Sequence, residues 1–149
     1  MAIGRLDVKS EGLLFLTTNG KVSELIRSRK FEKEYYVQVD GIVTEEHCEK
    51  LRNGVIISVD GSPYTTLPCP VKIIDDPGFE ERVPKVRDDR HGPTSWASIS
   101  LREGKFHQVR KMTAKVGLPT LRLVRVRIGN TTLEGLGLGE VKEVDAFDL

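Results

Sequence analysis

The stretch LRLVRVRIG, residues 121–129, alternates apolar side chains with arginines. Successive residues of a strand point to opposite faces of a sheet, so this pattern predicts a half-buried strand that carries a row of arginines. The alternation slips at Leu123-Val124, which permits a β-bulge there. We therefore expect a sheet protein, and other stretches of similar pattern are candidates for further strands.

Five more stretches have the length and patterning of strands. They are EGLLFLTT (11–18), KEYYVQVDG (33–41), VIISVDGSPYTTLP (55–68), PVKIID (70–75) and WASISLRE (96–103). The first is continuous and apolar, which predicts one buried strand that ends before Asn19-Gly20. The third predicts a hairpin that turns at Asp60-Gly61.

Three stretches predict helices by the spacing of their apolar residues. They are GKVSELIRS (20–28), EEHCEKLRN (45–53), with Thr44 as its N-cap, and KFHQVRKMTAKV (105–116). Residues 75–95 are polar and contain three prolines, which predicts a long loop. Strands outnumber helices, so we expect an α+β fold in a single domain, 1–149: a mixed, mostly antiparallel β-sheet with a few flanking helices.

Size and composition exclude several classes of protein. The 149 residues are 38% hydrophobic and 30% charged, which is ordinary for a globular domain. No apolar run is long enough to span a bilayer. Cys48 and Cys69 do not have the spacing of metal ligands, and we expect them to be free thiols in a reducing compartment.

Positive charge is concentrated in one part of the chain, although the net charge is only +1. Between residues 102 and 127 there are eight lysines and arginines and one acidic residue, Glu103. Such a stretch fits a surface that faces phosphates. It also fits a solvated helix face followed by an exposed strand edge, and charge alone favours that second interpretation.

Candidate catalytic residues are ambiguous when each is taken alone. Asp7 precedes a buried run, where a carboxylate needs a cation or hydrogen-bond donors to stay charged, but a single aspartate is more often a turn residue. Tyr35 fits a core position, and His107 fits a structural histidine. The three histidines do not form a metal triad, and Ser10 and Ser23 lack the context of a hydrolase nucleophile.

Taken together and in order, the segments GRLDVKSEGLLFLTTNG (4–20), KEYYVQVDG (33–41) and EGKFHQVRKM (103–112) resemble the RsuA/RluB/RluE/RluF group of RNA pseudouridine synthases. The resemblance covers nearly the whole chain. The loop ERVPKVRDDRHGPTSW (81–96) and the run RKMTAKVGLPTLRLVR (110–125) favour members that act on the large ribosomal subunit. The resemblance implies the pseudouridine synthase catalytic fold and isomerisation of uridine to pseudouridine, without a metal or other cofactor.

The resemblance also implies which residues carry the reaction. Asp7 is the catalytic carboxylate, which attacks either C6 of the base or C1′ of the ribose. Tyr35 stacks on the uracil and helps remove the C5 proton. Lys105 pairs with Asp7 and keeps it charged. Leu121 is our candidate for the aliphatic residue that packs against the base or the tyrosine.

The implied partner is ribosomal RNA, most simply 23S rRNA, and we expect a monomer in the bacterial cytoplasm with no membrane contact. The reacting uridine must be flipped out of its helix, which costs roughly a few kcal/mol. We expect Arg5 to hold the extruded nucleotide. Four residues of the basic stretch are candidates for phosphate contacts that offset this cost: Arg110, Lys111, Arg122 and Arg125.

Two features depart from the family pattern. His107 stands where the group more often has Asn or Arg, and histidine there is typical of the related RluA family. Family members have a further stretch before GRLD, in some cases with an S4 RNA-binding domain. Only three residues precede GRLD here, so we expect an N-terminally truncated catalytic domain without an S4 domain.

Three alternatives remain open at this point. The chain could be a non-catalytic RNA-binding module that keeps the fold, although a buried carboxylate would repel phosphates. It could be an acid–base hydrolase that uses Asp7 and His107, which requires the two to lie within hydrogen-bond reach. Its substrate could be 16S rather than 23S rRNA.

Overall fold

The computed structural model describes residues 2–3, 11–13, 15–16, 31–79, 92–105 and 107–132. These contain ten strands and two helices. In chain order the elements are β1 (Ala2–Ile3), β2 (Glu11–Gly12), β3 (Phe15–Leu16), β4 (Lys33–Asp40), α1 (Glu45–Arg52), β5 (Ile56–Val59), β6 (Ser62–Thr65), β7 (Val71–Ile74), β8 (Thr94–Leu101), α2 (Gln108–Lys115), β9 (Thr120–Ile128) and β10 (Thr131–Thr132). The helix predicted at 20–28 lies outside the described residues.

The main sheet of the described residues has six strands, and antiparallel pairing dominates it. Its order is β10-β9-β4-β8-β7, and β2 pairs in parallel with the outer edge of β9, next to β10. Strands β5 and β6 form a separate hairpin, and β1 pairs with β3. The mixed, mostly antiparallel sheet with flanking helices that the sequence predicts is confirmed.

The apolar run at 11–18 does not form the single strand that its composition predicts. Glu11–Gly12 pairs with β9, whereas Phe15–Leu16 pairs with β1 in another sheet. Gly12 has a φ of +110°, a conformation that side-chain-bearing residues rarely adopt, and it allows the backbone of β2 to press against Arg125. This glycine therefore gives the chain a bend where its apolar composition favours a continuous strand.

The main core covers one face of the sheet. Val37, Ile99 and Met112 are fully buried there, and each such side chain stabilises the fold by about 1.5–3 kcal/mol. Helix α1 packs against β7, and α2 packs against β5 and β9. The helices and the β5–β6 hairpin thus cover the face on which Tyr35 lies.

The opposite face of the sheet carries an aromatic group. The ring of Phe79 lies 5.8 Å from Trp96, edge on, and 6.2 Å from Tyr36. Arg122 lies over the same Phe79 ring at 5.6 Å. Tyr35 and Tyr36 therefore point to opposite faces, as their alternation predicts, and Tyr36 packs outside the main core.

Local sequence signals place both the first helix and the hairpin correctly. The Thr44 hydroxyl accepts a hydrogen bond from the His47 amide, and His47 Nδ1 accepts one from the Thr44 amide at 3.0 Å, which closes a capping box. At the hairpin turn, Asp60 and Gly61 both have positive φ, as a type I′ turn requires. Short polar motifs of this kind act through neighbouring backbone atoms, so the sequence alone reveals them.

Two irregularities interrupt the pairing of β9 with β4. The register shifts opposite Glu34/Tyr35 and opposite Gln38/Val39, which leaves Val126 and Leu121 without a partner residue on β4. The pairing is regular at Leu123-Val124, where the slip in alternation permits a bulge: these two residues pair with Val37 and Tyr36. Leu123 and Val124 point to opposite faces of β9, and both are buried. Two adjacent apolar residues therefore fit a strand that is covered on both faces.

The two cysteines are free, as predicted, and both are buried. Burial raises the pKa of the Cys69 thiol to about 11, and the nearby carboxylates of Glu103 and Glu32 add to this effect. Burial likewise raises the pKa of Cys48. Both thiols are therefore protonated at neutral pH and are poor nucleophiles.

We predict that Gly12→Ala strongly destabilises the protein. A Cβ at this position would lie 2.2 Å from the carbonyl oxygen of Arg125, so β2 could not stay against β9. Gly61→Ala is the matched control, because Gly61 also has positive φ but has open space around it. Urea unfolding should show a loss above about 3 kcal/mol for Gly12→Ala and about 1–2 kcal/mol for Gly61→Ala. Equal losses would contradict the close approach of β2 to β9.

Candidate functional site

One end of the main sheet gathers three of the residues that the sequence singles out: Tyr35, Lys105 and Arg125. Because β4 runs antiparallel to β8 and β9, the start of β4 meets the ends of the other two strands. Tyr35 on β4 lies between Ile99 of β8 and Arg125 of β9, and all three share the core-side face. Lys105 follows four residues after the end of β8, at the entrance to α2.

The segment that follows Asp7 is bound to this same end of the sheet. The Leu13 amide donates to the Arg125 carbonyl at 2.8 Å, and Arg125 Nε donates to the Leu13 carbonyl at 2.8 Å. Arg122 forms a bidentate ion pair with Glu11, with both N–O distances at 2.8 Å. We call these contacts the β2–β9 clamp. They fix a point six residues after Asp7 on the strand next to Tyr35; Asp7 and Arg5 themselves lie outside the described residues.

The clamp gives Arg122 and Arg125 a role that differs from the predicted phosphate contacts. Arg125 is only 4% exposed, and its guanidinium donates inward to Leu13. The Arg122 side chain is 12% exposed, and Glu11 neutralises its charge. Sequence alternation suggested an exposed row of arginines, but both faces of β9 are covered. These two side chains hold β2 in place.

Arg125 has one further property that bears on chemistry. Its Nη2 atom is buried and makes no hydrogen bond within the part of the chain that the structure describes. A buried cation is costly unless it is paired. Its neighbour across the strand pair is Tyr35. A hydrogen-bond acceptor such as a carboxylate would therefore stabilise this nitrogen.

The third arginine of β9, Arg127, is neutralised as well. It donates to Glu34 at 3.1 Å and to Glu32 at 2.5 Å. Ser98 donates to the other oxygen of Glu34 at 2.6 Å. Burial alone raises the pKa of Glu34, but the hydrogen bonds from Ser98 and Arg127, with the charges of Arg127 and Lys72, outweigh burial and lower that pKa below 4.5.

The exposed positive charge lies instead on α2 and on the loop before it. Five basic residues there are exposed or half buried, and the one carboxylate of this segment, Glu103, is buried. They form what we call the α2 basic surface: Arg102, Lys105, Arg110, Lys111 and Lys115. Lys111 also donates to the Ser58 carbonyl at 2.8 Å. Of the four predicted phosphate contacts, Arg110 and Lys111 thus lie on a surface of suitable charge.

Sequence reasoning missed Glu103, which it treated only as an exception in a basic stretch. The side chain is 3% exposed and accepts hydrogen bonds from three groups: the Tyr64 hydroxyl, the Leu67 amide at 2.8 Å and Gln108 Nε2 at 2.9 Å. Tyr64 and Leu67 come from the hairpin and its exit, more than thirty residues away. No local sequence pattern indicates partners this far away, so sequence reasoning had no signal of this cluster.

Lys105 is held beside this cluster. Its ammonium lies 4.9 Å from the centre of the Tyr64 ring, within the range of a cation–π interaction. Its amide donates to Gln108 Oε1 at 3.1 Å. The next residue but one, His107, has a φ of +52° and precedes α2 without a side-chain capping bond. Gln108 thus holds the tight turn that leads from Lys105 into the helix.

Leu121 lies away from Tyr35. It is the bulged residue opposite Gln38/Val39, four residues along β9 from Arg125, which faces Tyr35. A strand rises about 3.3 Å per residue, so the two positions are roughly 13 Å apart. The predicted packing of Leu121 on that tyrosine does not fit this placement. At the Tyr35 end of β9 the bulged aliphatic residue is Val126, which is half buried.

No cluster of three or more potential metal ligands occurs among the described residues. None of the described helices is long and apolar enough to cross a membrane. The proposed hydrolase pair of Asp7 and His107 involves a residue outside the described ranges, and the structure adds nothing in its favour.

A protein-family model described as RNA pseudouridylate synthase matches residues 1–115. The chain belongs to this family. It is 48% identical over 145 residues to ribosomal large subunit pseudouridine synthase E of Vibrio vulnificus, which covers 96% of this chain and 60% of that protein. The identity to the synthase E of Xanthomonas axonopodis is 45% over 91% of this chain and 70% of that protein.

More distant relatives agree with this assignment. Ribosomal large subunit pseudouridine synthase B of Yersinia pestis is 34% identical over 97% of the chain and 41% of that protein. A solved structure described as a pseudouridylate synthase superposes with a TM-score of 0.70 at 30% identity, over 89% of this chain and 50% of that chain. This chain spans about 60% of the length of the Vibrio enzyme. The resemblance to the pseudouridine synthase group, and within it to members named for the large ribosomal subunit, is confirmed.

We predict that Glu34 contributes to the pH dependence of stability. Its pKa is lower in the folded state than the unperturbed value of 4.5, so its contribution is present above that pH. The contribution is lost as the pH falls through the folded pKa. Urea unfolding between about pH 5 and pH 3 should show a smaller loss of stability for Glu34→Gln than for the parent. Arg127→Met should reduce the loss in the same way. If stability falls with pH as steeply in both variants as in the parent, the role of Glu34 is refuted.

Proposed function

We propose that the protein isomerises a uridine of ribosomal RNA, in the bacterial cytoplasm, to pseudouridine, with Asp7 as the catalytic carboxylate. The observation that carries the proposal is the family match over residues 1–115, which contain Asp7, Tyr35 and Lys105 in motifs of the expected order. The placement of Tyr35, Lys105 and the β2–β9 clamp at one end of the sheet supports it.

Each proposed catalytic residue has a physical role. A carboxylate held away from water is a stronger nucleophile than a solvated one, which suits Asp7. Cations stabilise its charged form, and Lys105 and Arg125 are two of the basic residues at this end of the sheet. Tyr35 offers a flat ring for stacking on the uracil and a hydroxyl for proton transfer at C5. The reaction rearranges bonds within one nucleotide, so it requires no cofactor.

The α2 basic surface is the proposed phosphate-binding surface. Its positive residues are spread along α2 and the loop before it, which contains Lys105, so RNA bound along α2 would bring a nucleotide towards the end of the sheet. Phosphate contacts carry no base identity and position the RNA. They also contribute free energy that offsets the unstacking of the target base.

We propose 23S rRNA as the substrate, since the relatives in Vibrio and Xanthomonas are named for the large ribosomal subunit. The test incubates the protein with protein-free bacterial 23S or 16S rRNA and measures pseudouridine by nucleoside composition after complete digestion. We expect a gain in 23S rRNA alone, and a gain reduced about a hundredfold in rate for Lys105→Met. A gain in 16S rRNA alone would overturn the substrate. No gain in either RNA, with binding retained, would favour a non-catalytic RNA-binding module.

We predict that the salt dependence of RNA binding distinguishes the two groups of basic residues. The double variant Arg110→Gln/Lys111→Gln should weaken binding and lower the slope of log K against log salt by about 0.7–0.9 for each lost phosphate contact. Arg122→Gln is the matched control, because its charge is paired with Glu11, and it should leave the slope unchanged.

This prediction is checked by titrating protein-free 23S rRNA with each variant at several salt concentrations. Circular dichroism establishes that the variants are folded. A lower slope for Arg122→Gln with an unchanged slope for the double variant would move the interface from α2 to β9.

A further inference from the structure

A buried carboxylate at the start of the α2 segment has no place in the reaction proposed above. Glu103 is 3% exposed, and both of its oxygens are occupied. Oε1 accepts from the Tyr64 hydroxyl, while Oε2 accepts from the Leu67 amide and from Gln108 Nε2. Buried charge is costly, so a residue of this kind calls for an explanation.

Two of these three hydrogen bonds lead directly to Lys105. Gln108 uses its Nε2 on Glu103 at 2.9 Å and its Oε1 on the Lys105 amide at 3.1 Å, which fixes the backbone of the lysine. Tyr64 gives its hydroxyl to Glu103 and the face of its ring to the Lys105 ammonium, which lies 4.9 Å from the ring centre. One carboxylate therefore orients both the backbone and the charged end of the same residue.

The third hydrogen bond anchors the cluster to the fold. The Leu67 amide belongs to the segment that leaves the β5–β6 hairpin, two residues before Cys69. The Gln108 amide also donates back to the Lys105 carbonyl at 3.1 Å. The turn that carries Lys105 is thereby tied to the hairpin on one side and to the first turn of α2 on the other.

We propose that Glu103 is a positioning residue that sets the location of the Lys105 ammonium through Tyr64 and Gln108. The inference rests on the proposed function, because it assigns a role to Lys105 in the reaction. Glu103 touches neither the base nor the reacting atoms in this scheme. It acts by placing the cation, and a misplacement of about 1 Å at a reacting centre can lower a rate a hundredfold.

The chemistry of the cluster indicates which variants are informative. Glu103→Gln keeps an oxygen for Leu67 and Gln108, and its new amide can donate to the Tyr64 hydroxyl, which accepts as well as donates. Glu103→Met has a similar length but offers no acceptor to any of the three groups. Tyr64→Phe keeps the ring under Lys105 and removes only the hydroxyl. Glu46→Met is the matched control, because its carboxylate is 79% exposed on α1.

The first readout needs no substrate. The folded protein is treated briefly with acetic anhydride, and the acetylation rates of Lys105 and the exposed Lys115 are compared by peptide mass spectrometry. We expect Lys105 to react more slowly than Lys115 in the parent, in Glu103→Gln and in Glu46→Met. In Glu103→Met the acetylation rate of Lys105 relative to that of Lys115 should rise at least about threefold, because Lys105 is no longer held in place. An unchanged ratio would overturn the inference.

The second readout is steady-state pseudouridine formation on 23S rRNA. For Glu103→Met we expect kcat to fall about tenfold or more with KM nearly unchanged, and Glu103→Gln to restore most of kcat. Tyr64→Phe should give an intermediate loss. If Glu103→Met raises the acetylation rate of Lys105 but leaves kcat unchanged, the positioning role fails. If Glu103→Met does not fold, Tyr64→Phe decides: unchanged Lys105 reactivity and unchanged kcat in that variant would refute the role.

The two readouts separate the two proposals. If the parent forms no pseudouridine, the proposed function fails, and Glu103 has no role in catalysis. Acetylation still reports whether Glu103 holds Lys105 in place. If the parent is active and acetylation shows no dependence on Glu103, the function stands and the positioning role falls.

Discussion

The contact between β2 and β9 is the constraint on which the rest of the site depends. Two hydrogen bonds join Leu13 to Arg125, one between their backbones and one from the Arg125 side chain to the Leu13 carbonyl. An ion pair joins Glu11 to Arg122. Gly12 makes the approach possible, because any side chain there would meet the Arg125 backbone. The chain that carries Asp7 is thus tied, a few residues later, to the strand beside Tyr35. A loose N-terminal segment would lose the orientation that catalysis by a carboxylate requires.

This constraint also explains why the basic residues of β9 and those of α2 have different surroundings. On β9 the arginines are buried or paired with Glu11, Glu32 and Glu34, so they stabilise the sheet. The basic residues of α2 and its preceding loop share their segment with a single carboxylate, which is buried. Positive charge that is adjacent in sequence is therefore placed in two ways: it is paired internally on the strand, and it is exposed or half buried on the helix and its preceding loop.

The sequence was informative where structure depends on near neighbours. Strand β4, the Thr44 cap and the Asp60-Gly61 turn were all predictable from local patterns. The family motifs likewise identified the resemblance that the comparisons confirm. The burial of Arg125 and the cluster around Glu103 were not predictable, because their partners come from distant parts of the chain. The apolar run at 11–18 is divided between two sheets at Gly12, whose positive φ is set by the packing of β2 against β9, so it was not predictable either.

The most direct test of the central claim measures tritium release from C5-labelled uridine in protein-free 23S rRNA, for the parent and for Asp7→Asn. Isomerisation replaces the C5 hydrogen with the bond to the ribose, so release reports the reaction itself. We predict release by the parent and none by Asp7→Asn, which should still bind the RNA and unfold at the same urea concentration. Release by both proteins would contradict the role of Asp7, and release by neither would contradict isomerisation by this chain.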